Sequence, residues 1–242
     1  MMPKYTGPDG VLLVDKPSGP TSHDVVNAVR RHFGVKKVGH CGTLDPNATG
    51  LLILVLGKAT KLSDSLMGQD KVYEGVITLG KETSSFDVDG DILSETPVPP
   101  LSCEELTTMA LDFKGDQMQT PPMVSAIKKD GVPLYKLARK GIEVERPPRL
   151  IHVYYFKITQ FQTPDCEFEI ACTKGTYIRS IAHDLGQKIG CGAHLKTLRR
   201  TVSGSFNVRK AYRLERILEM EIADLSKALI PLDQLRESTL TG

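Results

Sequence analysis

The sequence predicts an α+β fold. Short segments of alternating apolar residues lie scattered along the chain, each bounded by turn residues, as half-buried strands do. Amphipathic helical patterns occur between them, but not in the regular strand–helix alternation of a doubly wound parallel sheet. No internal repeat or low-complexity tract interrupts the pattern. With 242 residues, 40% hydrophobic and 25% charged, the chain is long enough for one large domain or two small ones with a substantial core.

Val11 to Val14 reads as a short strand that ends in the turn cluster Asp15-Lys16-Pro17-Ser18-Gly19-Pro20. Thr21 or Ser22 can then cap a helix whose apolar positions Val25, Val26, Val29 and Phe33 keep helical spacing. Arg30 and Arg31 lie on its far face, and Lys36, Lys37 and His40 follow with no acid between them, a basic approach to the next turn. That turn, GHCGTLDPNATG, sets Asp45 in a Gly/Pro/Asn context and is followed at once by the apolar run Leu51 to Leu56, which reads as a fully buried strand. In isolation Asp-Pro is ordinary turn chemistry. Here the carboxylate hangs from the edge of a rigid core, where burial and a paired cation can set its reactivity.

Val72 to Gly80 alternates so that Tyr73, Ile77 and Leu79 share one face, which by pattern alone makes Tyr73 a core tyrosine. The segment SSFDVDGDIL carries Asp87, Asp89 and Asp91 but has no glutamate at the twelfth position, so it is a polar turn and not a calcium loop. Ser102-Cys103-Glu104-Glu105 is a capping box opening a helix to about Phe113. Lys114 to Pro148 is rich in Pro, Gly and basic residues, with one short helical piece around Leu134 to Lys140; a stretch so long and weakly patterned is a mobile functional loop or an insertion. Arg149 to Phe161 and Cys166 to Cys172 alternate as an antiparallel pair around Thr163-Pro164-Asp165. Ile178, Ile181, Ala182, Leu185 and Ile189 then mark an amphipathic helix, with Tyr177 and Arg179 in its first turn. A cation there opposes the helix dipole and needs an anion; Asp45 is the candidate. Leu195 to Val202 is a strand carrying Arg199 and Arg200, and two short helices run out to Pro231.

The five cysteines are odd in number and scattered, with no C-x-x-C pair, so neither a disulfide framework nor a zinc site is indicated and a reducing cytoplasm fits. No signal sequence or membrane-length apolar run is present. Net charge is +2, but residues 174 to 213 hold nine Lys and Arg against Asp184 alone, a local +8 that leaves −6 for the remainder. Such asymmetry is the electrostatic footprint of nucleic-acid contact, though a solvated basic face has the same composition.

DKPSGPTSHDVV, GHCGTLDPNATGLL, KVYEGVITLG and KGTYIRSIAHDLG, in this order and spacing from about Gly10 to Leu235, resemble the TruB family of tRNA pseudouridine synthases. The resemblance implies the pseudouridine synthase fold, a mixed and largely antiparallel sheet flanked by helices and loops. It implies isomerisation of uridine 55 in the tRNA T loop to pseudouridine, a redox-neutral reaction for which no metal or other cofactor is expected. Asp45 would be the catalytic carboxylate. Whether it attacks the sugar, attacks the ring or abstracts a sugar proton stays open. Arg179 would ion-pair with it, and Tyr73 would stack on the uracil and handle the C5 proton. His40 would fill the space left by the flipped base, Tyr177 and Leu198 would line the pocket, and Lys16, Arg199 and Arg200 would meet the RNA backbone.

Residues 8–235 would form the catalytic domain, with an RNA-gripping thumb at about 114–148 and a tail at 236–242. The small C-terminal RNA-binding PUA domain usual in bacterial members has no counterpart before Gly242, as in a truncated chain or a naturally short form. The implied partner is the T arm and T loop of tRNA, engaged by a cytoplasmic monomer without membrane or metal. A module that folds tRNA would use the same cleft, thumb and basic helix, so help with tRNA folding stands as a second role. A metallohydrolase is the weaker rival, because the six histidines form neither H-E-x-x-H nor a close ligand cluster.

Overall fold

An apolar run flanked by turns buries best when it is covered on both faces, and Thr49–Leu56 does this: every residue from Gly50 onward is buried. In the computed structural model, which describes residues 7–125, 127–129, 131–138 and 140–237, the strands in chain order begin with β1 (Gly10–Lys16), β2 (Val38–Cys41), β3 (Thr49–Leu56), β4 (Lys71–Leu79), β5 (Lys81–Thr83), β6 (Ile92–Glu95) and β7 (Gly115–Gln119). They continue with β8 (Lys128–Lys129), β9 (Val132–Pro133), β10 (Arg149–Gln162), β11 (Asp165–Cys172), β12 (Ala193–Ser203), β13 (Phe206–Asn207) and β14 (Tyr212–Arg213). The helices are α1 (Ser22–Phe33), α2 (Ser63–Met67), α3 (Cys103–Leu111), α4 (Leu134–Ala138), α5 (Ile178–Ile189), α6 (Leu214–Ile217), α7 (Ile222–Ala228) and α8 (Leu232–Glu237). The chain forms two compact units, 1–73 with 198–242 and 74–197, whose boundaries fall inside β4 and β12.

In the first unit β3 is central. It pairs antiparallel with β1 from Gly10↔Leu56 to Lys16↔Gly50; its other edge takes β2, antiparallel, and the start of its run takes β12, parallel at Arg199↔Thr49 and Arg200↔Gly50. β14 lies parallel to β1. Val11, Leu13, Leu51, Ile53 and Val55 turn to one side and pack with Cys41, Ala59, Leu66 and Leu235. Each such fully buried aliphatic side chain contributes roughly 1.5–3 kcal/mol. Gly50 has φ +94, and a Cβ there would lie 2.3 Å from the Arg200 carbonyl, so close passage of β12 requires glycine. α1 forms as its capping signal dictates: Thr21 accepts from the Asp24 amide, Asp24 caps back, Gly34 closes the far end, and Val25, Val26 and Val29 are buried.

In the second unit the strand order is β4-β11-β10-β7. β10 and β11 form the expected antiparallel pair, and Phe113, Phe156 and Phe168 meet edge to face across it at centroid distances of 5.9 and 5.7 Å. Ser102 and Glu105 make the expected capping box, though α3 ends at Leu111. Tyr73 and Ile77 are buried on the same face of β4, with Leu79. The fold is thus α+β with a mixed sheet. β2 and β7 carry no strand signal in the sequence: GHC has glycine and histidine where alternation needs apolar residues, and GDQMQ is polar. β7 pairs with β10 from Arg149↔Gln119 to Val153↔Gly115, so residues 115–119 of the expected 114–148 stretch are sheet. Among the described residues no helix is long and apolar enough to cross a membrane.

Candidate active site

The turn 42–48 joins β2 to β3 and holds Asp45 half-buried at the edge of the core. Two buried cations fasten it. Lys16, at the end of β1 and 0% exposed, donates its ammonium to the carbonyls of Pro17 (2.9 Å), Pro46 (2.8 Å) and Ala48 (2.7 Å). Arg200, on β12 and 1% exposed, donates Nε to the Leu51 carbonyl (2.7 Å) and Nη2 to the Gly42 carbonyl (3.0 Å). The Ser22 hydroxyl accepts from the Leu44 amide at 2.9 Å, and the Gly19 amide donates to Pro46. Both ends of the Asp45 turn and its middle are therefore tied to β1, α1 and β12, while the Asp45 carbonyl accepts from the Ala48 amide within it.

Lys16 and Arg200, expected to meet the RNA backbone, are occupied within the protein. Buried among carbonyls, neither presents its charge to a phosphate; both hold the turn. Burial lowers the Lys16 pKa to about 8, against the attraction of Asp45 and with the repulsion of Arg200. Arg199 is committed to Asp15 through two parallel hydrogen bonds of 2.9 and 2.8 Å. His40, half-buried on β2, is held below its ordinary pKa by burial, then by His23 and Arg200, and favours the neutral imidazole. Burial pushes the nearby Cys41 thiol up to about 11, so it is no thiolate nucleophile at neutral pH. Leu198 is half-buried on β12, and its carbonyl is 3.4 Å from the Thr49 hydroxyl.

Tyr73, expected to stack on the base, is buried on β4 in the first unit, and the second unit holds Arg179 and Tyr177. Arg179, 3% exposed in the first turn of α5, donates to the carbonyls of Ser85 (3.1 Å) and Val124 (2.8 Å), and its Nε lies 3.4 Å from Asp87 Oδ2. Asp87 thus answers the need for an anion within this unit. In the sequence Asp87 is one acid of a polar turn. The turn is real, with the Asp87 carboxylate accepting from the Asp89 amide at 3.1 Å and from the Ser85 hydroxyl, but it also delivers the second oxygen to Arg179. Phe86 sets the approach. Its φ of +65 is left-handed backbone that a phenylalanine adopts only under constraint, here a ring stack on His183 at 4.0 Å and a hydrogen bond from the Leu195 amide to its carbonyl. Gln119, also missed, is buried and grips the backbone of Tyr177 twice: its amide nitrogen donates to the Tyr177 carbonyl at 3.1 Å, and its oxygen accepts from the Tyr177 amide at 2.8 Å.

Asp45 thus sits on a core-edge turn held by two buried cations. Two solved structures share the fold. Over 98% of this chain, and 67% of the other, the fold superposes on a chain of the crystal structure of a Cbf5-Nop10-Gar1 complex with a TM-score of 0.75 at 28% identity. It superposes likewise, over 95% of this chain and 61% of the other with a TM-score of 0.71 at 26% identity, on the structure of an H/ACA RNP bound to a substrate RNA containing 2′-deoxyuridine. Sequence comparison gives the class as pseudouridylate synthase: residues 30–178 match the model of the N-terminal domain of TruB family pseudouridylate synthases, and 179–236 that of the tRNA pseudouridylate synthase B C-terminal domain. A tRNA pseudouridine synthase B of Opitutus terrae is 56% identical over 230 residues, 95% of both chains; one of Syntrophotalea carbinolica is 46% identical over 95% of this chain and 75% of its own. The chain belongs to the TruB family.

Proposed function

We propose that this chain isomerises uridine 55 in the T loop of tRNA to pseudouridine. Its family and the tRNA pseudouridine synthase B relatives support the reaction. The observation that carries the assignment to a residue is the turn at Asp45, clamped by the buried Lys16 and Arg200.

The reaction breaks the bond between C1′ and N1, turns the uracil and joins C1′ to C5; N1 gains a proton and C5 loses one, so no electrons are exchanged with an outside group. Asp45 acts as nucleophile on the target nucleoside. Arg179 pairs with it and aims it, and Asp87 orients Arg179 in turn. Tyr73 stacks on the uracil and takes the C5 proton, His40 fills the vacated stack as a neutral imidazole, and Tyr177 and Leu198 line the base pocket. Residues 8–235 act as one catalytic domain, with the RNA grip at about 114–148, of which Gly115–Gln119 are β7. The partner is the T arm of tRNA, met by a monomer in the cytoplasm without metal, and the same grip serves tRNA folding.

Release of tritium from tRNA carrying [5-³H]uridine tests the reading. One equivalent per tRNA is expected, and none from tRNA in which cytidine replaces uridine 55. Release that persists on the cytidine tRNA would reject the site, and no release from either would reject the activity.

A further inference from the structure

We propose that the outward face of residues 209–213 is a second RNA contact surface, which takes backbone phosphates of the same RNA whose uridine enters the Asp45 turn; it rests on the tRNA reading above. The basic segment 174–213 holds nine Lys and Arg, and the structure divides them. Arg179 and Arg200 are buried. Lys188, Lys196 and Arg199 are committed to Asp112, Asp165 and Asp15. Lys174, in the second unit, is exposed. The remaining three, Arg209, Lys210 and Arg213, are exposed, cluster within five residues and make no ion pair among the described residues. The polyanion-binding capacity that the charge asymmetry implies therefore falls on them.

They are presented on a fixed platform. Phe206, Val208 and Ala211 pack on the core of the first unit, the Asn207 side chain accepts from the Arg209 amide at 2.9 Å, and Tyr212–Arg213 pairs with Val14–Asp15. Side chains on an anchored backbone lose less entropy on binding than those of a free tail. Tyr212, 40% exposed, alternates in direction with Arg213 along β14 and lines a hollow with Arg216, Glu219, Glu221 and Asp224, so the contact surface is the cations alone. The position is apt as well. Arg213 stands opposite Asp15 on neighbouring strands, which lie about 4.8 Å apart, and the next residue, Lys16, holds the carbonyls of Pro46 and Ala48 beside Asp45. Asp15 is spent on Arg199, Glu215 is the next acid along the chain, and of the acids in the hollow beside Tyr212, Glu219 pairs with Arg216 and Asp224 with Lys227.

The test compares the full chain with the Arg209→Gln/Lys210→Gln/Arg213→Gln variant, measuring tRNA affinity against salt and the single-turnover rate at saturating tRNA. With about 0.9 counterions released per phosphate, three lost contacts should make the variant's affinity fall about 40-fold less than wild type between roughly 50 and 200 mM salt. The saturated rate and thermal midpoint should hold, and Arg209→Lys/Arg213→Lys should keep the wild-type slope. A triple variant with the wild-type slope overturns the proposal. So does one whose only change is self-association, because the cations would then guard an open sheet edge. Wild-type protein that releases no tritium would instead reject the underlying tRNA reading.

Discussion

Replacing Lys16 by methionine removes a buried charge and leaves a side chain of similar volume. In the folded protein burial lowers this ammonium from 10.5 to about 8, with Asp45 opposing the shift and Arg200 adding to it. Unfolding restores the ordinary value, so between pH 8 and 10.5 the unfolded chain binds a proton that the folded chain has released, and stability must rise with pH in that window. At 1.36 kcal/mol per pH unit the rise is about 3 kcal/mol. Below pH 8 both states are protonated, and the whole cost of burying the charge is present. The methionine variant has no such group, so wild type should gain about 3 kcal/mol on it between pH 8 and 10.5. At pH 7 the variant orphans the carbonyls of Pro17 and Ala48, at about 1–3 kcal/mol each, while Pro46 keeps the Gly19 amide. Relief of the buried charge is of like size and opposite sign, so stability at pH 7 should change little. The Asp45 turn, however, loses its clamp, and the saturated single-turnover rate should fall about 10-fold or more. Urea unfolding from pH 7 to 10.5 and single-turnover tritium release make the two measurements. Parallel stability curves for the two proteins would refute the buried-ammonium argument, and an unchanged rate would refute the clamp.

Arg179→Lys should lower the saturated rate about 100-fold or more with little change in tRNA affinity, because one ammonium cannot reproduce guanidinium bonds to Ser85, Val124 and Asp87; a near-normal rate would remove Arg179 from the site. His183→Ala should slow turnover about 10-fold by freeing Phe86 and with it Asp87, whereas His183→Phe, which keeps a stacked ring, should restore most of it. Equal rates for the two variants would show that the stack does not position Asp87.

The elements with strong patterns were legible in the sequence: the buried run of β3, the capped α1, the amphipathic α5, and the shared face of Tyr73 and Ile77. So was the turn that presents Asp45. What escaped was set by partners distant in the chain. Lys16 and Arg200 read as phosphate ligands because a cation in a sequence carries no sign of burial, and Arg199 because it carries no sign of its partner; carbonyls at the Asp45 turn hold the first two and Asp15 the third. Asp87 looked like one acid of a polar turn, and only the packing of that turn beside α5 makes it the neighbour of Arg179. Gln119 sits in a strand too polar to announce itself, and the left-handed Phe86 has no local signal, since its conformation is enforced by His183 and Leu195.

Asp45→Asn tests the central claim most directly. Asparagine keeps the size and turn preference of aspartate and leaves the Lys16 and Arg200 bonds to backbone carbonyls in place, while it removes the charge and the nucleophile. One preparation, free of host enzyme, is measured twice with the same [5-³H]uridine tRNA, for complex formation and for tritium release in a single turnover. Binding should persist or tighten slightly, because a negative charge facing a polyanion is gone, and tritium release should vanish. Release at a rate near wild type would contradict the account and take Asp45 out of the mechanism.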